Sequence, residues 1–319
     1  MKFNFILFTF FIALSACDRK SATEKMIDEI PIEITVQRFD KIFYESNAAD
    51  LPKIKREFPF FFPSDIENKI WLEKMADPQW RELYAEVQKK YPTFEKETND
   101  IETLVRHIKH YFPNTKTPKV ITLIAEMDYN TKAIYADSLI LVSLELYLGQ
   151  DHRFYQFPTY LKQNFVTRQI VPDIAQSFAQ RNIPPAKDNT LLSQMIYHGK
   201  ELYLKDLLIP DYTDAEKIGY KPEQVAWCVE NEGYMWRYLI EGELLYDSNS
   251  KLPNRFINPA PFSKFYLEID NESPGRVGQW IGWQIVRSYM ANSDTSLNDL
   301  LLLDAKTLFE KSKYKPKKE

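Results

Sequence analysis

Tyr197-His198-Gly199-Lys200-Glu201-Leu202-Tyr203 puts a histidine, a lysine and a glutamate within one helical turn, with His198 and Glu201 three apart on one face. Zinc chemistry on a helix needs a second histidine four residues away, because that spacing aims both imidazoles at one ion. Gln194 and Leu202 occupy those positions, so the paired-histidine motif is absent. A mid-helix glycine costs about 1 kcal/mol relative to alanine, a cost offset where another element must come close. The segment therefore reads as structural, with Gly199 at a tight contact.

The remaining candidates are weaker. His107 and His110 are three apart on an expected helix, but Arg106 and Lys109 crowd them with positive charge and no third ligand stands nearby, so they read as surface histidines. His152, in Asp151-His152-Arg153, has no visible partner. Cys228, within Val225-Ala226-Trp227-Cys228-Val229, sits among apolar neighbours and reads as a buried, inert thiol with no base to activate it. No glycine-flanked serine marks a nucleophile elbow, and there is no phosphate-cradling glycine loop. The nearest lookalike, Pro274-Gly275-Arg276-Val277-Gly278-Gln279-Trp280-Ile281-Gly282-Trp283, spaces Gly278 and Gly282 four apart, which makes a smooth stripe for helix packing. No catalytic, cofactor-binding or metal-ligating residue is assigned.

The elements that would hold these residues follow from periodicity. Ile32 to Phe39 alternates apolar and polar residues like a half-buried strand, with Asp40 placed to cap a helix. Phe58-Pro59-Phe60-Phe61-Phe62-Pro63 cannot be regular helix and reads as core. Three helices are expected between Ser64 and Phe112, opened by Ser64-Asp65, Asp77-Pro78 and Asp100. Val120–Ile124, Ala133–Ala136 and Leu139–Leu144 read as short antiparallel strands that the amino-terminal strand can join. Helical spacing then dominates, near 162–181, 189–208, 221–247, 275–292 and 296–312. The expected fold class is α+β, predominantly helical with a small antiparallel sheet, as one globular domain over 31–319.

The first residues carry a different message. Lys2, an apolar stretch from Phe5 to Leu14, and Leu14-Ser15-Ala16-Cys17 form an export signal ending in a lipidation sequence. The apolar run is shorter than the roughly 20 residues of a membrane span. Residues 1–16 thus read as a lipoprotein signal peptide, Cys17 as the lipidated residue, and 17–30 as a polar tether to a cell-envelope membrane, inner or outer not assigned. With Cys17 lipidated, Cys228 has no intrachain partner, so the body must stand without a disulfide. Loss of Lys2 with the signal turns the formal charge of -4 into -5, which disfavours a nucleic-acid partner. The basic tail Lys311 to Lys318 reads as a solvated end.

Several of these segments together carry a resemblance. The lipidation sequence, Leu144-Glu145-Leu146-Tyr147-Leu148-Gly149, Met195 to Tyr203, Trp227-Cys228 with Asn231-Glu232 and Trp236, and Pro274-Gly275-Arg276 through Met290 make the chain resemble the GldB family of gliding motility lipoproteins. The resemblance implies a lipid-anchored envelope component of the gliding apparatus, tied to a secretion system and working through other gliding machinery proteins; it does not imply a reaction, and no cofactor is expected. The family is also distantly similar to zinc metallopeptidases, whose paired histidines would fall near Met195 to Tyr203. That would give a metallopeptidase-like fold without the metal motif. The alternative it leaves open is a degenerate hydrolase acting on peptide or cell-wall material around His198, Glu201 and Glu232. The many tryptophans and tyrosines allow a third reading, a glycan-binding module.

Overall fold

The computed structural model describes residues 20–317, so Cys17 and the signal peptide assigned to 1–16 lie outside the described residues. The first element is α1 (Ala22–Asp28), closed by a capping box in which Ser21 Oγ accepts from the Glu24 amide while the Glu24 carboxylate accepts from the Ser21 amide. Its Ile27 is buried. The stretch expected to be a tether therefore carries a capped helix docked on the body.

Strand β1 (Val36–Arg38) is shorter than the alternation from Ile32 suggests, because α2 (Phe39–Tyr44) begins at once. Helices α3 (Leu51–Glu57), α4 (Asn68–Ala76), α5 (Pro78–Lys90) and α6 (Glu95–Tyr111) follow. Asp77 opens α5 as expected, its Oδ1 accepting from the Gln79 and Trp80 amides at 2.8 and 3.1 Å. Asp100 does not open α6, which starts five residues earlier at Glu95. Phe58 and Phe62 are buried, and Phe39 packs 5.0 Å from Phe58 and 4.5 Å from Phe61, ring centre to ring centre. Only Phe60 faces solvent.

The sheet is mixed. Its order is β1-β2-β4-β3, with β2 (Lys119–Leu123), β3 (Ala133–Ala136) and β4 (Leu139–Ser143). β1 pairs with β2 in parallel, with Gln37 opposite Ile121, and β2 pairs with β4 in parallel, with Ile121 opposite Leu141. Only β3 and β4 form the expected antiparallel hairpin, turning at Asp137, whose φ is 52°. Parallel neighbours need a long crossover. Helices α2 to α6 supply it between β1 and β2, and the excursion through the edge strand β3 brings the chain back beside β2 as β4.

The second half is helical: α7 (Thr159–Lys162), α8 (Ile170–Asn182), α9 (Leu191–Leu208), α10 (Asp214–Ile218), α11 (Pro222–Glu230), α12 (Glu232–Glu241), α13 (Leu252–Phe256), α14 (Val277–Ala291), α15 (Leu297–Leu302) and α16 (Ala305–Lys311). Two expected helices are split, 221–247 at Asn231 and 296–312 before Asp304, whose Oδ1 caps α16 by accepting from the Thr307 amide at 2.9 Å. The architecture is thus predominantly helical α+β.

Two apolar clusters fill the body. One gathers the sheet with α2 to α6, α8 and Leu301 of α15; the other gathers Ile218 of α10 with α11 to α16. Helix α9 lies in both, giving Leu204 and Leu208 to the first and Leu191, Leu192, Met195, Ile196 and Leu202 to the second. It packs along α14 backbone to backbone. A side chain at Gly199 would run into the main chain of Gly282, which is the close approach its place in the sequence suggests.

Candidate functional site

A polar cavity of 320 Å³ opens at the seam between the two clusters. One wall is α9, whose turns bring His198, Glu201 and Lys205 to the same face because residues three and four apart stack on a helix. Helix α8 supplies Asp173 and Gln176 across from them, and the residues leading into β3 supply Lys132. Arg276 enters from the turn before α14 in the left-handed conformation, φ 66°.

Glu201 is the best shielded of these groups, 1% exposed. Its Oε2 sits 2.7 Å from His198 Nδ1 and accepts from Gln176 Nε2 at 2.7 Å. Its Oε1 is buried with no hydrogen-bond partner among the described residues. Burial, reinforced by the nearby Glu201 charge, raises the Tyr197 phenol to about 12. A carboxylate holding one imidazole nitrogen fixes the ring and presents the other nitrogen, as in many acid–base sites.

Lys205 is also buried, and its Nζ donates to the Lys217 carbonyl at 2.8 Å. Burial pushes its pKa down to about 8 against the pull of Asp173 and Glu201. Asp173 itself is matched: Lys132 Nζ lies 2.6 Å away, and the Tyr147 hydroxyl donates to it at 2.9 Å. Arg276 donates from Nη2 to the Gly219 carbonyl at 3.2 Å, and its guanidinium stands 5.1 Å from the centre of the Tyr220 ring. Burial lowers its pKa. Asn164 Nδ2 and Gln163 Nε2 donate to the same carbonyl at 2.9 and 3.2 Å, which fixes the Gly219 turn against the cavity rim. Behind the wall, Asp206 holds Lys217 at 3.1 Å and Arg287 at 2.7 Å, and accepts from Trp283 Nε1 at 2.9 Å.

The residues singled out from sequence fare differently. His198 and Glu201 are brought together. Lys200, between them in sequence, turns away and donates to the Leu301 and Leu303 carbonyls at 3.0 and 2.6 Å, capping α15. Glu232 lies outside the cavity and accepts from the Tyr314 hydroxyl at 2.6 Å. His107 is not a surface residue: it is 7% exposed, with Nδ1 2.9 Å from the Leu207 carbonyl, because α6 packs against α9. His110 is half-buried against Tyr111. His152 does have a partner, Glu86 Oε2 at 3.4 Å. Cys228 is buried as expected, and burial pushes its thiol pKa up. Asp40, expected as a cap, is instead a buried carboxylate inside α2 that accepts from Arg38, Gln88 and Thr122. Tryptophans do not line the cavity, and Trp280 and Trp283 are buried, so of the rings behind the glycan reading only tyrosines, Tyr129, Tyr160 and Tyr220, face it.

A zinc ion does not fit this donor set. Glu201 and His198 face Lys205 and Arg276, whose charges oppose a cation. Among the described residues no group of three or more histidine, cysteine or acidic side chains is arranged to hold a metal. The cavity lining contains no serine, threonine or cysteine to act as a nucleophile beside His198. Sequence reading missed Lys132, Asp173, Gln176 and Lys205, and Arg276 was visible only as part of a glycine stripe. These residues are scattered over the chain, and only the fold collects them.

A family model described as gliding motility protein GldB covers residues 20–316. No curated protein matches, and neither does any solved structure.

Proposed function

The chain belongs to the family of the gliding motility protein GldB, and from that premise we propose that it is held in the cell envelope by a lipid on Cys17 and serves the gliding and secretion apparatus through contacts with other proteins. The observation that carries this reading is the extent of the family match, which takes in both apolar clusters and the cavity between them. The lipidation sequence adds the anchor. Four residues separate Cys17 from Ala22, the first residue of the docked helix α1. Even fully extended, that link spans no more than roughly 18 Å. A lipid on Cys17 would therefore keep the body against the membrane face.

Deletion of the gene should abolish spreading on a surface, and Cys17→Ser should move the protein from the membrane fraction to the soluble fraction of the envelope. Normal spreading by the deletion strain would sink the motility reading, and a Cys17→Ser protein that stays with the membrane would sink the anchor.

A second reading, a hydrolase acting on peptide or cell-wall material, draws on one observation: Glu201 orients His198 inside a cavity. Its lining holds no serine, threonine or cysteine beside His198, and Glu232 is not part of it. A His198→Ala/Glu201→Ala double mutant that spreads normally would end it.

A further inference from the structure

Charge in the seam cavity is left uneven. Lys132 is matched by Asp173 and Lys217 by Asp206. Lys205 and Arg276 line the same cavity with no carboxylate among their hydrogen-bond or ion-pair partners in the described residues, each donating to a backbone carbonyl instead. Asp173 and Glu201 pull on Lys205 without bonding to it, and cations withdrawn from water without a bonded counter-charge are costly. Opposite them stands Glu201, whose Oε1 is buried with no partner at hydrogen-bond distance among the described residues, the Tyr197 hydroxyl standing near the carboxylate without closing on that oxygen. An unsatisfied buried carboxylate oxygen is costly too. Two deficits of opposite kind thus face one space, an anion lacking at Lys205 and Arg276 and a donor lacking at Glu201.

A ligand that mends both must carry a negative group and a hydrogen-bond donor a short distance apart. A phosphate fails, because its double charge would stand near Glu201 and Asp173. A neutral sugar fails, because it leaves both cations uncompensated. A peptide end has both features, a singly charged carboxylate and backbone N–H groups beside it. The space suits it, since 320 Å³ is at the lower end of small-ligand pockets and holds a few residues.

We propose that the cavity binds the carboxyl-terminal end of a peptide, with the α-carboxylate on Arg276 and Lys205 and an N–H group donating to Glu201 Oε1. The guanidinium offers a planar pair of donors that matches a carboxylate. The site requires neither the lipid anchor nor a role in gliding, so it stands or falls separately from the function above. The ligand is either a free short peptide or the exposed carboxyl terminus of a partner protein, since both present the same chemistry.

The test uses the full-length protein extracted from membranes in detergent. It is dialysed to equilibrium against a random tripeptide pool with free carboxyl ends and against the same pool amidated at that end, and bound peptide is measured by mass spectrometry. The free-acid pool should be retained about tenfold more strongly than the amide, the effect of losing one charge-assisted contact. Arg276→Gln, checked for an unchanged melting temperature, should remove that preference. If this variant fails to fold, the acid-against-amide comparison on the unaltered protein decides alone. Longer peptides with free ends separate the sources: retention equal to the tripeptides points to the terminus of a protein, and exclusion points to free short peptides. Equal retention of acid and amide pools, no retention of either, or an undiminished preference in a folded Arg276→Gln protein would overturn the proposal.

Discussion

Gly282 of α14 lies directly against the Met195 carbonyl of α9, so close that a methyl group at Gly282 would overlap that oxygen. The obstacle is backbone in the middle of a buried helix and cannot swing aside. Gly282→Ala should therefore lower unfolding free energy by about 3 kcal/mol, at the upper end of overpacking costs, measured by urea denaturation. Alanine at Gly278 meets the Phe256 carbonyl and the movable end of Ile257, and should cost less. Equal, small effects at both sites would contradict the backbone contact.

Asp40 gathers four hydrogen bonds inside the first cluster: Arg38 Nε at 2.9 Å and Nη2 at 2.7 Å, Gln88 Nε2 at 2.8 Å, and Thr122 Oγ1 at 2.5 Å. Removal would leave the partly buried Arg38 guanidinium without its counter-charge. Asp40→Ala should cost about 3 to 5 kcal/mol in denaturant unfolding, and Asp40→Asn less, because it keeps two of the acceptor positions filled. A loss under about 1 kcal/mol for alanine would refute the account, since that is the worth of an exposed pair.

Glu145 is fully buried; its Oε1 accepts from the Ala125 amide at 3.1 Å, and its Oε2 has no partner at hydrogen-bond distance among the described residues. Burial raises its pKa from the usual 4.5 to about 7. Between those values the folded chain keeps a proton that the unfolded chain has lost, so stability falls as pH rises. The contribution is full below pH 4.5 and gone above about pH 7, on the order of 3 kcal/mol in all. Glu145→Gln should flatten that part of the stability–pH curve. An unchanged slope in the variant would show that Glu145 titrates normally.

Cys228 has no exposed surface, and burial holds its thiol well above the ordinary range. It should resist a thiol reagent in the native state and react only on unfolding. Under denaturant, the mature lipoprotein should yield one reactive thiol per chain, because a lipidated Cys17 has none to offer. Two would mean that Cys17 is unmodified.

What the sequence made legible was local. The Asp77 cap, the burial of Cys228 and the close approach at Gly199 each follow from a residue and its immediate neighbours, and all three stand in the structure. Strand direction was not legible, because short apolar strands look alike whichever way they pair, and the crossover that makes β1 and β2 parallel runs through five helices. Asn231 hid a helix break inside continuous apolar spacing. The site was half visible: His198 and Glu201 share a turn, whereas Asp173, Lys205 and Arg276 meet only through the packing of α8, α9 and the turn before α14. His107 was misread because α9, which covers it, lies a hundred residues further along.

Helix α9 has its own bearing on how the protein would carry force. Its eighteen residues pass through both apolar clusters, and its middle is pressed backbone to backbone on α14. The halves are therefore not beads on a string. A pull applied to the sheet reaches the second cluster through this stiff rod, through Leu301 of α15 and through the bonds of Gln163 and Asn164 to the Gly219 carbonyl, so the body should bear load as one piece and yield in one rip rather than two.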